Sequence, residues 1–157
     1  MDAMLFSPVQ LRGVGLRNRI VLPPMLQYSA VGGYVNDWHL VHYPKFAAGG
    51  AGLVFVESTK VESRGCSTPS DLGLWKDDYI GSLRRIAGLI RSNGAVAGIQ
   101  LAHAGRKARR SVPWEGRAAP RMSRGEPSPV AASTQGLPYA GQSPSSTVMN
   151  LLSRPRG

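Results

Sequence analysis

The sequence predicts an α/β fold built on a parallel sheet. Three compact apolar segments, Ile20-Val21-Leu22, Gly52-Leu53-Val54-Phe55-Val56 and Ala95-Val96-Ala97-Gly98-Ile99-Gln100-Leu101, have the length and composition of strands. Two segments of helical character separate them. The second and third strands are apolar at consecutive positions, as strands covered on both faces are. Strands alternating with helices in this way form βα units with right-handed connections.

Each element has its own local signal. Residues 5–17 alternate roughly and contain Gly13 and Gly15, which suggests a short hairpin or cap. The first strand stops at Pro23-Pro24, because proline cannot donate to a ladder. Residues 29–37 read as a loop, with Asn36 or Asp37 placed to cap a helix. That helix carries Pro44, a possible bend, and ends at Gly49-Gly50. A polar stretch, 57–76, precedes the second helix, which begins at Lys76-Asp77-Asp78. There Ile80, Leu83, Ile86, Ala87 and Ile90 recur at helical spacing, and Asn93-Gly94 closes the segment. From 121 to 157, 16 of 37 residues are Pro, Ser or Gly, and Val148-Met149 with Leu151-Leu152 is the only apolar cluster. A disordered tail is the expectation there.

Composition narrows the function classes. The 157 residues are 42% apolar, enough for a packed core, and no apolar run reaches the ~18 residues of a bilayer span. A soluble, cytoplasmic protein without a membrane partner is expected. The single cysteine, Cys66, excludes an internal disulfide framework and reads as an inert loop residue. The net charge of +10 is uneven. Residues 1–103 hold 10 basic and 7 acidic side chains, whereas residues 104–157 hold 9 and 2. The basic character therefore belongs to the last third, where it fits either non-specific phosphate binding or an arginine-rich end.

In parallel α/β folds, ligands bind at the C-terminal ends of the strands. Three segments occupy that position: Pro23-Pro24-Met25-Leu26-Gln27-Tyr28, Glu57-Ser58-Thr59, and the run from Gln100 to Lys107. Gln100 ends an apolar strand, where its amide must find partners. A buried glutamine satisfied by backbone is an equal alternative, and for Tyr28 core packing is the commoner outcome of a lone aromatic. His39 and His42 share a helix face, but no third metal ligand is evident, so no metal is expected. The run 106–110 reads as a solvated face, and no glycine-rich phosphate loop precedes a helix.

Taken together, LFSPVQLRGVGLRNRIVLPPM, NDWHLVHY, GAGLVFVES, DLGLWKDD and GIQLAHAGRKA resemble the Old Yellow Enzyme family of flavin-dependent ene-reductases (NADH:flavin oxidoreductase / NADH oxidase). The resemblance runs in order from residue 4 to about 120. It implies the N-terminal portion, about three βα units, of a (β/α)8 TIM barrel with FMN at its C-terminal mouth. NAD(P)H would be the hydride donor and a small enone-type molecule the substrate, with no nucleic-acid partner and a homo-oligomer possible for the intact protein. By resemblance, Pro23, Pro24, Met25 and Leu26 lie along the flavin. Ser58 stands where a small residue, usually Ala, contacts the isoalloxazine. Gln100 bonds the pyrimidine edge of the flavin, and Tyr28 meets the substrate carbonyl.

Leu26 departs from the cysteine usual in the branch of the family that is most similar. The family's paired histidines and its phosphate loops lie on later strands, and none of His39, His42 or His103 matches that histidine pair. The expected organisation is thus a partial FMN-binding barrel, 1–120, followed by a basic tail, 121–157, disordered or arising from a reading-frame shift near 117–122. The competing reading is a catalytically inactive fragment or a basic nucleic-acid-binding protein.

Overall fold

The computed structural model describes residues 3–116 and 146–149. The chain opens with a single 3-10 turn, Met4–Phe6, and the predicted hairpin, β1 (Val9–Leu11) and β2 (Val14–Leu16), paired antiparallel. Leu16 anchors the hairpin in the core. The next residue, Arg17, reaches across the base of the sheet. Its guanidinium donates to the carbonyls of Ala47 (2.5 Å), Ala51 (2.9 Å) and Asn93 (3.1 Å). Ala47 and Asn93 stand at the C-terminal ends of the two helices, where carbonyls lack helical partners and a cation is favoured.

A four-stranded sheet of order β3-β4-β5-β6 forms the centre, from β3 (Val21–Leu22), β4 (Leu53–Lys60), β5 (Val96–Ala102) and β6 (Ser146–Met149). The first three strands are parallel, as predicted. β4 continues four residues past the expected stop at Val56, so Glu57-Ser58-Thr59 lie within the strand. The ladder is maintained by a register shift at Glu57: Val56 stands opposite Ile99, and Ser58 opposite Gln100. Such a bulge re-aims the residues beyond it. β6 pairs antiparallel with β5, placing Met149 opposite Ile99. This corrects the expectation that no strand occurs in the tail. An open parallel edge offers unpaired N–H and C=O groups to any extended segment, and the Val148-Met149 cluster supplies one. Residues 117–145 and 150–157, on which the rest of that expectation falls, lie outside the described residues.

Helix α1 (Asp37–Ala48) starts at Asn36, whose side chain caps it, and retains Pro44 in its interior. Helix α2 (Asp78–Ser92) follows Asp77 and ends where Gly94 turns with φ 78°. Tyr43 and Ala47 of α1, and Ile86 and Ile90 of α2, pack on Val54, Val56, Ala97 and Ile99 of the sheet. Ile86 and Ile90 are fully buried, each contributing about 1.5–3 kcal/mol by removal from water. Ile80, assigned to the same apolar face, is 40% exposed and lines a cavity beside α2. Among the described residues no helix is long and apolar enough to cross a membrane.

A buried polar knot ties α1 to β4. The Glu57 carboxylate accepts the Tyr43 hydroxyl proton at 2.8 Å, and the same hydroxyl oxygen accepts the Glu57 N–H at 3.1 Å. His39 Nε2 lies 3.4 Å from Glu57, and the other nitrogen of the ring faces the Asn36 cap at 2.8 Å. Burial, then the Glu57 charge, drive the Tyr43 pKa far up.

Two outcomes are expected. Gly52 joins the starts of three strands, donating to Ile20 and accepting from Val96, both at 2.9 Å, and a Cβ there would sit 2.6 Å from the Asn18 carbonyl oxygen. Gly52→Ala should cost about 1–3 kcal/mol by overpacking. In urea unfolding the midpoint should drop while the slope holds. For Tyr43, the folded state keeps a proton that the unfolded chain sheds above about pH 10, so this contribution to stability is present below that pH and lost above it. Tyr43→Phe should flatten the alkaline decline of stability; an unchanged slope would show that Tyr43 ionises normally in the folded protein.

Candidate functional site at the strand ends

The sequence-predicted residues follow or end β3, β4 and β5, all at the C-terminal end of the parallel sheet. After β3, Pro23 and Met25 are exposed, and Pro24 and Leu26 are half-buried. This segment hangs from the polar knot: the Gln27 N–H donates to Glu57 Oε2 at 2.9 Å. The Gln27 side chain donates to the Met25 carbonyl at 2.8 Å, curling the segment on itself. Next to this anchor, Tyr28 adopts φ 51°, a left-handed conformation that non-glycine residues seldom take. Such local strain persists only where surrounding contacts impose it. The Tyr28 ring meets Trp114 edge-on, 5.9 Å between centroids, instead of entering the core. Partial burial, then the charges of Asp71 and Glu57, raise its pKa, so the hydroxyl holds its proton.

On β4 and β5 the register sets Ser58 beside Gln100, and in parallel strands such partners share a face. Phe55 lies beneath them, its ring 2.5 Å from where a Gly98 Cβ would be, so glycine at that position lets the ring lie flat on β5. The Gln100 amide is half-buried and has no hydrogen-bond partner among the described residues. The backbone-satisfied alternative for this glutamine is therefore not what the structure shows. The Ser58 hydroxyl oxygen accepts from Lys60 Nζ at 2.6 Å. Because its oxygen accepts from Lys60, the hydroxyl can donate its own hydrogen to another group. Two neighbouring side chains thus present an amide and a hydroxyl to a ligand that offers both acceptors and donors.

Sequence reasoning missed Lys60, and it named Glu57 only within a strand-end segment, not as the buried anchor of this site. The bulge that buries Glu57 has no sequence signature, and a lysine ending a strand reads as a solvated charge. Other predicted features fall elsewhere. His39 turns to Asn36 and Glu57. His42 packs between Trp38, Tyr43 and Phe46, neither ring nitrogen has a hydrogen-bond partner among the described residues, and burial lowers its pKa. No group of residues able to hold a metal occurs among the described residues. Burial pushes the Cys66 thiol up to about 11, consistent with an unreactive residue. His103 accepts the Gly105 N–H at Nδ1 (3.0 Å) and turns Nε2 toward Glu62 (3.3 Å). A cavity of about 690 Å³ lies on the opposite, helix-bearing face, between α2 and Val56, Ala97 and Ile99. None of the predicted site residues lines it.

Comparison with known proteins places this geometry. The profile of the NADH:flavin oxidoreductase / NADH oxidase family matches residues 4–142. An NADPH dehydrogenase of Geobacillus sp. (strain WCH70) is 50% identical over 109 residues, 68% of this chain and 32% of the relative. An NADH:flavin oxidoreductase of Gibberella zeae is 47% identical over 110 residues, 70% of this chain and 27% of the relative. The solved old yellow enzyme of Trypanosoma cruzi superposes with a TM-score of 0.61 at 29% identity, covering 67% of this chain and 28% of that one. The chain thus spans about a third of the length of these relatives, and the matched part is the α/β portion of a barrel. With the family profile matching residues 4–142, the chain belongs to the NADH:flavin oxidoreductase / NADH oxidase family.

Proposed function

We propose that the strand ends of this chain form one wall of an FMN site in an NAD(P)H-dependent oxidoreductase that acts on small enone-type substrates. The observation that carries the reading is the Gln100 amide, without a hydrogen-bond partner among the described residues, in register beside Ser58. A flavin pyrimidine edge alternates carbonyl acceptors with an N–H donor, so an amide that supplies both and a hydroxyl that donates suit it. When bound, FMN accepts hydride from NAD(P)H and delivers it to an activated alkene.

The residues of the chain bind and orient. Pro23, Pro24, Met25 and Leu26 offer backbone and apolar surface to the ring, held in place through Gln27 and Glu57. Prolines at this point keep the segment from pairing onward as a strand, so its backbone stays available to a ligand. Tyr28 holds its proton at Oη and is suited to donate a hydrogen bond to a substrate carbonyl oxygen. Leu26 contributes contact without polarity, in contrast to the thiol common in similar proteins. The family names of the Geobacillus and Gibberella relatives support the same reaction class.

The test is direct titration. One wall alone should hold FMN weakly, so quenching of FMN fluorescence is expected at high protein concentration, and Gln100→Ala should weaken binding about two- to twelvefold, as loss of a bond worth about 0.5–1.5 kcal/mol requires. Equal affinity for both proteins would remove Gln100 from the site.

A further inference from the structure

We propose that Lys60 tunes the ring bound at the strand ends, partly through the Ser58 hydroxyl and partly through its own charge; this rests on the flavin reading above. Lys60 is 3% exposed, and no step of the proposed reaction uses it. Its Nζ donates to Ser58 Oγ at 2.6 Å and lies 3.5 Å from Asp71 Oδ2. The Asp71 carboxylate has its own partners, the Ser67 N–H at 2.6 Å and the Thr68 hydroxyl at 2.7 Å. The ammonium therefore stands closer to the hydroxyl than to the carboxylate that offsets it.

This arrangement has a chemical consequence. A serine oxygen that accepts from an ammonium is polarised, and its hydrogen turns away from that donor. Gln100 stands in register beside Ser58, on the same face of the sheet. Ser58 becomes a fixed, strengthened hydrogen-bond donor with a positive charge directly behind it. Reduced FMN carries more negative charge on its ring than oxidised FMN, so such a donor favours the reduced form. The nearby Asp71 keeps the effect modest. Where a methyl side chain occupies the place of Ser58, this route for the charge is absent. A lysine serving only to hold the 61–73 loop against Asp71 would instead leave the ring unaffected.

The experiment measures two dissociation constants on the full chain: oxidised FMN by fluorescence quenching, and dithionite-reduced FMN by anaerobic calorimetry. Lys60→Met should weaken reduced FMN about tenfold more than oxidised FMN, equivalent to a two-electron midpoint lower by about 30 mV. Ser58→Ala keeps the Lys60–Asp71 pair and decides the matter if Lys60→Met fails to fold. It should shift the ratio in the same direction, and the double variant should shift it by less than the two single effects combined. Variants that change both constants equally, or neither, overturn the role of Lys60 while leaving the flavin site standing. Absence of any FMN quenching by the unmodified chain overturns the flavin reading and this proposal with it.

Discussion

Everything at the strand ends depends on one buried carboxylate. Glu57 is wholly removed from water, an expensive position for a charge unless donors surround it. It draws those donors from separate parts of the chain: the Tyr43 hydroxyl from α1 and the Gln27 N–H from the segment after β3, with His39 Nε2 close by. The bulge in β4 is what turns this side chain away from the regular alternation and makes the convergence possible. Loss of the carboxylate would strand two buried donors at once, each at about 1–3 kcal/mol. The structural knot and the functional segment therefore share one anchor. The left-handed turn at Tyr28 lies next to it, so the aim of the tyrosine is an indirect product of the same interaction.

The two faces of β4 and β5 divide the work. Val54, Val56, Ala97 and Ile99 turn to the helices and close the core. Phe55, Gly98, Ser58, Gln100 and Lys60 turn the other way, and polarity rises along that face toward the C-terminal end. Polar side chains are tolerable there because the backbone beyond the ladder is still satisfied: Lys60 N–H donates to Leu72 O at 2.8 Å, and Leu74 N–H to Lys60 O at 2.7 Å. The loop through Asp71 thus lengthens β4 as an edge partner would, while bringing a carboxylate to meet the lysine. Burial of that lysine follows from the same loop.

The parallel core was legible in the sequence because its signals are local. Apolar runs bounded by Pro23-Pro24 and Gly49-Gly50, and helical spacing from Leu83 to Ile90, act within a few residues. The end of β4 was not legible, since polarity at Glu57-Ser58-Thr59 argues for a loop while pairing with β5 decides for a strand. Tertiary hydrogen bonding overrode local preference there. Gln100 and Ser58 were reached as strand-end residues and given their flavin roles by family resemblance; their adjacency depends on a register shift that no single segment encodes. Lys60 escaped both routes. Its significance arises from an ammonium-to-hydroxyl contact two residues apart in a strand, on a face identified only once the bulge is known. β6 was hidden for a similar reason: four residues of ordinary composition become a strand because the edge of β5 accepts them.

Under the flavin reading, the departures at Leu26 and Ser58 are connected. Similar proteins place a thiol after the first strand and a methyl side chain on the second. This chain has an alkyl side chain at Leu26 and a hydroxyl at Ser58. The polar contact is thus moved from the segment after β3 to the neighbouring strand β4. The two groups differ in kind. A thiol is a weak, polarisable donor whose charge state varies with its surroundings. The Ser58 hydroxyl is held neutral and is oriented by the Lys60 ammonium, so its polarity is fixed by geometry instead of by titration. A site arranged in this way should respond to pH less than one that relies on a thiol, because neither the Leu26 side chain nor the Ser58 hydroxyl ionises in the physiological range. The relocation thus replaces a tunable contact with a static one, and it does so on the strand whose position Glu57 already fixes.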